Sequence, residues 1–196
     1  QRQYSWTQDQ CEQLWKDIVR AGTTDLEAHF IGSVVYVERG LYSHSDVPQL
    51  LVIDGQQRLT TFFMFMAVLR DIAIDNDLKE ACHDRIFQKA NKFKKIPERI
   101  RLVYKIRDNV ENFIKEFVLA KGGSNKIVDL KEYSKTKNIS ISHMANAILT
   151  ISKFFSNKNP SEIENFGEFI AEKPVFIYVS TESMEDAFRM FTILNN

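Results

Sequence analysis

The sequence predicts an α/β fold of the α+β kind: a small mixed sheet built from both ends of the chain, with a largely helical segment inserted between them. β-branched and aromatic runs typical of strands occur at 30–38, 50–53 and 175–180. Longer segments with apolar residues at helical spacing occupy most of the remainder. With 196 residues, of which 44% are hydrophobic, the chain is long enough to bury a sizeable core.

The element order follows from these patterns. Thr7 is the predicted N-cap of the first helix, with Gln10 three residues later as in a capping box. The run at 50–53 is wholly apolar and predicts a buried strand directly before a strong helix. We divide the chain into a core formed by 1–75 and 174–196 and a helical insertion or subdomain at 76–173. Helices are predicted at 8–21, 56–74, 78–92, 107–120, 139–155, 161–171 and 182–194, a short strand at 100–104 and an exposed polar loop at 121–137.

Composition excludes several classes of protein. The 26 basic and 26 acidic side chains cancel, so net charge gives no indication of nucleic-acid binding. Cys11 and Cys82 lie far apart and without metal-ligand spacing, which argues against a disulfide framework and a structural zinc. The longest apolar stretch, 61–69, is too short to span a bilayer, and no signal peptide is visible. We expect a soluble cytoplasmic protein with no membrane partner.

The segment 52–61 (VIDGQQRLTT) carries the strongest chemical signal. Gly55 permits a tight turn and a close approach of a ligand to the backbone. The unpaired amides of the following helical turn, together with the helix dipole, favour an anion there, and Arg58 adds a positive fork suited to phosphate oxygens. Asp54 is suited to holding a metal ion or orienting a water. The hydroxyl groups that follow belong to Thr60 and Thr61.

A structural interpretation of the same turn stays open. Asp54 would then only cap the helix, and Arg58 would pair with a surface carboxylate. Two adjacent glutamines, Gln56 and Gln57, precede the arginine at the entrance of a buried helix. Packing alone explains such a pair poorly, and this favours a functional interpretation.

The N-terminal end and the middle of the chain provide two further candidates. Arg2, with Tyr4 and Trp6 close by, is suited to clamping a base or a phosphate, although the two aromatic residues would equally serve as a hydrophobic staple for the first helix. The segment 85–107 carries nine basic residues against the single acidic Glu98. It is either a solvated face or a DNA-binding surface. The candidate DNA contacts are Lys92, Lys94, Lys95, Arg99 and Arg101.

Together these segments resemble a known family. Gln1-Arg2-x-Tyr4-x-Trp6, then 29–33 (HFIGS) and 53–61 (IDGQQRLTT) look like the N-terminal domain of GmrSD-type, modification-dependent restriction enzymes. The closing run 187–195 (AFRMFTILN) is similar to that family's later phenylalanine-and-asparagine motif. The family's fold is related to ParB and sulfiredoxin, so the resemblance implies a sheet of that type.

The resemblance also implies a function: binding and hydrolysis of a nucleoside triphosphate, with a divalent metal such as Mg²⁺, coupled to restriction of foreign or modified DNA in a prokaryotic cytoplasm. Asp54, Gln57 and Arg58 would be catalytic, and Asp54 would hold the metal. The sequence contains no His-Asn-His-type nuclease motif. We therefore expect a separate C-terminal nuclease domain as a partner, and we leave a homodimer open. The nucleotide-binding residues carried over are Arg2, Tyr4, Gly55, Gln56, Arg58, Thr60, Thr61 and Asn195.

Three functional hypotheses follow. The leading one is metal-assisted hydrolysis of a nucleoside triphosphate at the turn between Asp54 and Arg58, regulating a nuclease. The second makes the same turn a phosphodiesterase site that acts on DNA. The third is a non-catalytic module that binds DNA or a protein partner and is switched by nucleotide.

Overall fold

The computed structural model describes residues 3–22, 29–41, 48–104, 109–172, 174–181 and 183–194. Its helices and strands confirm the predicted α+β class. Within the described residues, no helix has the length and apolar character needed to cross a bilayer. The elements, in chain order, are α1 (Gln8–Gly22), β1 (His29–Leu41), β2 (Pro48–Asp54), α2 (Gln56–Ile72), α3 (Asn76–Ile86), β3 (Phe87–Gln88), β4 (Arg99–Ile100), α4 (Val110–Phe113), a π-helix (Ile114–Leu119), a 3₁₀ turn (Gly123–Asn125), α5 (Ile127–Tyr133), α6 (Ile139–Phe155), α7 (Pro160–Glu172), β5 (Pro174–Thr181) and α8 (Met184–Leu194).

The main sheet joins the two ends of the chain, as predicted. Its order is β2-β1-β5, with β1 antiparallel to β2 and parallel to β5, so the sheet is small and mixed. Val34 and Val35 are consecutive on the central strand, and both are buried. Because successive side chains of a strand point to opposite faces, both faces of β1 are covered. On one face Val35 and Val37 pack with Ala187 of α8.

Helix α2 runs through the main hydrophobic core. Its residues 64–69 are all buried, which confirms the prediction of a helix that is apolar nearly all round. Phe65 stacks on Trp15 of α1 with ring centroids 4.8 Å apart, and it meets Phe155 of α6 edge-on at 5.7 Å. Phe166 of α7 lies 4.5 Å from the same Trp15 ring. These four aromatic rings hold α1, α6 and α7 against α2.

A buried ion pair fixes the C-terminal end of α2. Arg70 Nε lies 2.8 Å from Asp71 Oδ1, and the two side chains are 2% and 1% exposed. The guanidinium also donates to the carbonyls of Leu119 and Ala120, at 3.0 and 2.7 Å, where the π-helix ends. The Asp71 carboxylate accepts from the amide and the hydroxyl of Ser124, at 3.0 and 2.7 Å. The pair therefore satisfies backbone groups that would otherwise be buried without partners.

The prediction for 78–92 is wrong beyond Ile86. Helix α3 ends there because Phe87 takes an extended conformation, with φ −124° and ψ 135°. The chain then forms a hairpin, in which β3 pairs with β4 and Asn91 pairs with Ile96. The predicted strand at 100–104 is correspondingly reduced to its first residue.

The segment after the hairpin differs from prediction in two places. The helix predicted at 107–120 is a short α4 followed by the π-helix, and 105–108 lie outside the described residues. The loop predicted at 121–137 contains α5, which forms because Leu130 is fully buried in the core. The helices predicted at 8–21, 56–74, 139–155 and 161–171 are confirmed to within two residues at each end.

One core serves both parts of the predicted division. A single cluster of buried side chains contains Tyr4 and Trp15 from the N-terminal part and Phe117 and Ile148 from the helical part. The helical part thus packs on the core along α2 and α1. The division at 76 and 173 stays a prediction.

Candidate functional site

The turn between β2 and α2 depends on a glycine. Gly55 has φ 82° and ψ 5°, in the left-handed region, and an ideal Cβ on it would lie 2.7 Å from the carbonyl oxygen of Ser33. A side chain there would be both strained and obstructed. Gly55 is also the N-cap of α2, and because it has no side chain it makes no cap hydrogen bond. Asp54 is therefore not the N-cap, contrary to the structural interpretation of the motif.

The guanidinium of Arg58 packs against a second glycine, Gly32. Gly32 is next to an irregularity in the β1–β5 pairing and has φ 144°. An ideal Cβ on it would lie 2.6 Å from Arg58 Cζ and 2.9 Å from Arg58 Nε. The guanidinium therefore sits directly on the backbone of β1, where its Nη1 donates a long hydrogen bond of 3.4 Å to the carbonyl of Ser33. Among the ion pairs of the described residues, none involves Arg58 or Asp54.

The two glutamines are held by the protein's own backbone. Gln57 bridges the N-terminal segment: its Oε1 accepts from the amide of Ser5 at 2.9 Å, and its Nε2 donates to the carbonyl of Gln3 at 2.6 Å. Gln56 Nε2 donates to the carbonyl of Val52 at 2.5 Å. Gln57 thus attaches residues 3–5 to α2, while Gln56 ties the first turn of α2 back to β2.

The two threonines of α2 accept hydrogen bonds from tyrosine hydroxyls. Thr60 and Thr61 are 2% and 1% exposed, and each hydroxyl donates to the carbonyl four residues earlier, at 2.8 and 2.9 Å. A hydroxyl has one proton, so the tyrosines must be the donors in the remaining contacts. Tyr104 donates to Thr60 Oγ1 at 2.8 Å, and Tyr4 donates to Thr61 Oγ1 at 2.7 Å. The nucleotide contact expected of these threonines, and of Tyr4, stays a prediction.

Burial keeps both phenols protonated. It raises the pKa of Tyr4 well above its ordinary value, and the neighbouring Cys11 raises it further. Burial also raises the pKa of Tyr104. Both tyrosines therefore remain hydrogen-bond donors to α2 at neutral pH, and neither is poised to act as a base.

Asp54, the last residue of β2, is the carboxylate at the turn. No group of three or more His, Cys, Asp or Glu side chains in the described part of the chain has the arrangement of a metal site. Asp54 at the end of β2 would be one carboxylate ligand. Mg²⁺ is commonly held by one or two carboxylates, with substrate phosphates and waters completing the shell. The Mg²⁺ and the nucleotide expected from the sequence stay predictions.

The five candidate DNA contacts separate into two groups. Lys92, Lys94 and Lys95 are exposed in the loop that closes the β3–β4 hairpin. Arg99 and Arg101 are at its base, and Arg101 Nε donates to the carbonyl of Asp84 in α3 at 2.7 Å. Arg101 thus attaches the hairpin to the helix. Arg2 and Asn195 lie outside the described residues.

Residue-by-residue reasoning did not single out Gly32 or Tyr104. A signal for Gly32 was present, because an isolated glycine within a strand pattern often marks a bulge or a close approach of another group. Nothing in the sequence indicated that Tyr104 returns to α2. Its partner Thr60 is 44 positions away in the sequence, and a contact over that distance depends on the tertiary fold.

Comparison with known proteins identifies a family for the chain. The sequence profile of a family described as "GmrSD restriction endonuclease, N-terminal domain" matches residues 1–196, the whole chain. No curated protein matches the chain significantly.

Proposed function

The chain belongs to the GmrSD restriction endonuclease N-terminal domain family, and on that premise we propose that it binds and hydrolyses a nucleoside triphosphate at the turn between β2 and α2. The family is one of DNA restriction, so this domain is part of a restriction system. The proposed role is to couple nucleotide turnover to the action of a nuclease domain on DNA.

The observation that carries the proposal is the glycine at the N-cap of α2. A helix leaves its first amides without intrahelical partners, and Ser, Thr, Asp or Asn usually satisfies one of them. Here the N-cap is a glycine with no side chain to offer, on a helix of 17 residues. The amides of Gln57 and Arg58 in this first turn, together with the positive end of the helix dipole, favour a phosphate.

Arg58 supplies the second positive element. It is in the first turn of α2, and its guanidinium lies on the backbone at Gly32 with one long hydrogen bond to the described residues. A planar guanidinium recognises two oxygens of a phosphate at once, and its charge stabilises charge that develops during phosphoryl transfer. We assign Arg58 to the phosphates, and Asp54 to the metal ion that accompanies them or to the attacking water.

Gln57 enters the proposal as a positioning residue. Both polar atoms of its amide are hydrogen-bonded to the backbone of Gln3 and Ser5. It would hold the N-terminal segment beside the nucleotide instead of orienting the water itself. Gly55 and Gln56 would shape the turn, and Mg²⁺ would neutralise phosphate charge when bound.

The test is a titration of the chain with each of the four nucleoside triphosphates, with and without Mg²⁺, following binding by calorimetry and hydrolysis by phosphate release. Arg58→Ala should weaken binding by about ten- to a hundredfold, as expected for hydrogen bonds to a charged group. Arg20→Ala, on the exposed side of α1, is the matched control. Unchanged affinity in Arg58→Ala would refute the proposal.

A second assay separates the alternative hypotheses. Plasmid nicking by this chain that is lost in Asp54→Ala would favour a phosphodiesterase at the same turn. Nucleotide binding with no turnover of any triphosphate would favour a switched binding module.

A further inference from the structure

The β3–β4 hairpin has a well-defined tip. Asn91 and Ile96 exchange backbone hydrogen bonds of 2.8 and 2.9 Å, which close a loop of residues 92–95. The side chain of Asn91 also accepts from the amide of Lys94 at 3.1 Å, and Lys95 takes a left-handed conformation with φ 51°. These hydrogen bonds fix the backbone conformation of the loop and therefore the positions from which its side chains extend.

That tip presents an aromatic ring to solvent. Phe93 has a relative exposure of 102%, so none of its surface is covered by the rest of the described chain. The rings of Phe113 and Phe117, by contrast, are buried in the core. Leaving a phenylalanine in water forgoes the stabilisation that burial gives, so packing offers no reason for a ring at this place.

Three positive charges surround Phe93 in the sequence. Lys92, Lys94 and Lys95 are all exposed, and none of them takes part in an ion pair of the described residues. Lys89, at the base of the hairpin, differs because its Nζ lies 2.7 Å from Glu80 and 3.1 Å from Asp84. Three positive charges thus lie within four consecutive residues at the tip, although the whole chain carries no formal net charge.

We infer that the β3–β4 hairpin is a DNA-contacting wedge, in which Phe93 stacks on bases while Lys92, Lys94 and Lys95 bind the flanking phosphates. Lysines supply the charge that attracts the phosphate backbone, and aromatic rings stack on exposed bases or enter between base pairs. The tip combines both groups in four consecutive residues. The inference shares the family membership with the proposed function but requires no nucleotide, so either can fail alone.

Charge complementarity alone would also suit an anionic membrane, since lysines beside an aromatic ring bind lipid headgroups as well. The family membership favours DNA, because restriction acts on DNA. The two partners make different demands on Phe93. A base stack needs a flat ring, whereas a lipid interface accepts any large apolar side chain.

The first experiment measures charge. Binding of the nucleotide-free chain to fluorescent duplex and single-stranded oligonucleotides is followed by anisotropy over a range of salt concentrations. The variant K92A/K94A/K95A should lower the magnitude of the salt slope by up to about 3 on duplex DNA, since each phosphate contact contributes about 0.9. The control K131A/K135A/K137A removes the same charge from other exposed lysines and should keep the slope.

The second experiment measures stacking. Phe93→Ala should weaken DNA binding by roughly tenfold and leave the salt slope unchanged, while Phe93→Trp should retain binding and Phe93→Leu should not restore it. A 2-aminopurine base in the oligonucleotide reports the stack directly, and comparison of single-stranded with duplex probes shows which form receives the ring.

Three results would overturn the inference: equal DNA affinity in the tip and control variants, no 2-aminopurine response that depends on Phe93, or tip-dependent binding to phosphatidylserine-containing vesicles without tip-dependent binding to DNA. All substituted side chains are exposed, so thermal unfolding should show the variants to be as stable as the parent chain.

Discussion

Replacing Gly32 with alanine tests how the proposed phosphate-binding arginine is placed. Two effects are expected. The backbone at Gly32 has φ 144°, where a side chain is strained by about 1–3 kcal/mol. The new Cβ would also lie 2.6 Å from Arg58 Cζ, whereas carbon atoms pack at about 3.5 Å, so the guanidinium must move by roughly 1 Å.

The displacement of the Arg58 guanidinium should affect nucleotide hydrolysis more than stability. A shift of roughly 1 Å in a group that positions a substrate costs about a hundredfold in rate, so nucleotide hydrolysis by Gly32→Ala should fall by about that factor. The protein should still fold. Because the Arg58 side chain can move away from the new Cβ, the loss in the free energy of unfolding should stay close to the backbone strain at position 32. Calorimetric binding, phosphate release and urea unfolding measure the three quantities.

Two further variants separate strain from displacement. Gly122→Ala introduces a side chain at φ 79° with no atom within 4 Å of the new Cβ. It should therefore lower the stability of the protein and leave nucleotide hydrolysis unchanged. In an Arg58→Ala background, Gly32→Ala should cause no further loss of nucleotide binding and should keep only its strain cost. The reasoning is refuted if Gly32→Ala keeps normal hydrolysis while Arg58→Ala abolishes it, or if the two functional losses add.

Three other changes have defined outcomes. Asp71→Ala leaves the guanidinium of Arg70 buried without its partner and should lower the free energy of unfolding by about 3–5 kcal/mol, measured by urea denaturation. Gln57→Ala should lower the free energy of unfolding by about 1–2 kcal/mol and speed amide exchange at Ser5, whose N–H loses its acceptor. Unchanged exchange at Ser5 would contradict the attachment of residues 3–5 to α2 through Gln57. Burial raises the pKa of the Cys82 thiol from about 9 to about 11, so the folded state keeps that proton longer than the unfolded chain. The protonated thiol contributes its full stabilisation of the folded state below about pH 9, and this stabilisation is lost by about pH 11. Between these two pH values the free energy of unfolding of the parent chain should fall by roughly 2 kcal/mol more than that of Cys82→Ala, measured by urea unfolding.

Local patterns predicted the elements that depend on local chemistry. The first helix begins after Thr7 as expected, and the Gln10 side chain accepts from the Thr7 amide at 2.8 Å, as in a capping box. The apolar run before Gly55 is a strand, and Gly55 does take the left-handed conformation that its place in a tight turn suggested. Both signals act within a few residues, so the sequence contains them in full.

The hairpin shows where local patterns fail. Residues 78–92 have helical spacing, yet the helix stops at Ile86. The amide of Arg101 donates to the carbonyl of Ile86 at 2.9 Å, and this contact secures the strand that returns from the tip. A partner 15 positions away competes with helix formation, and helical periodicity alone does not reveal it.

The same limit applied to the threonines of the motif. Thr60 and Thr61 receive hydrogen bonds from tyrosines that arrive from distant segments, and no local pattern indicated these partners. The nucleotide contacts predicted for the two threonines stay predictions, because a hydroxyl with a protein partner can also face a ligand.

The two ends of α2 are built in opposite ways, and this contrast supports a functional assignment for the N-terminal end. At the C-terminal end, Arg70 and Asp71 are buried and fully hydrogen-bonded, as stability requires. At the N-terminal end the cap is a glycine, and the side chains of Gln56 and Gln57 are bound to β2 and to the N-terminal segment. Among the described residues, Arg58 has one long hydrogen bond, to Ser33, and neither Arg58 nor Asp54 forms an ion pair. A chain that satisfies its polar groups elsewhere and departs from that rule at one helix end has the pattern expected of a binding site.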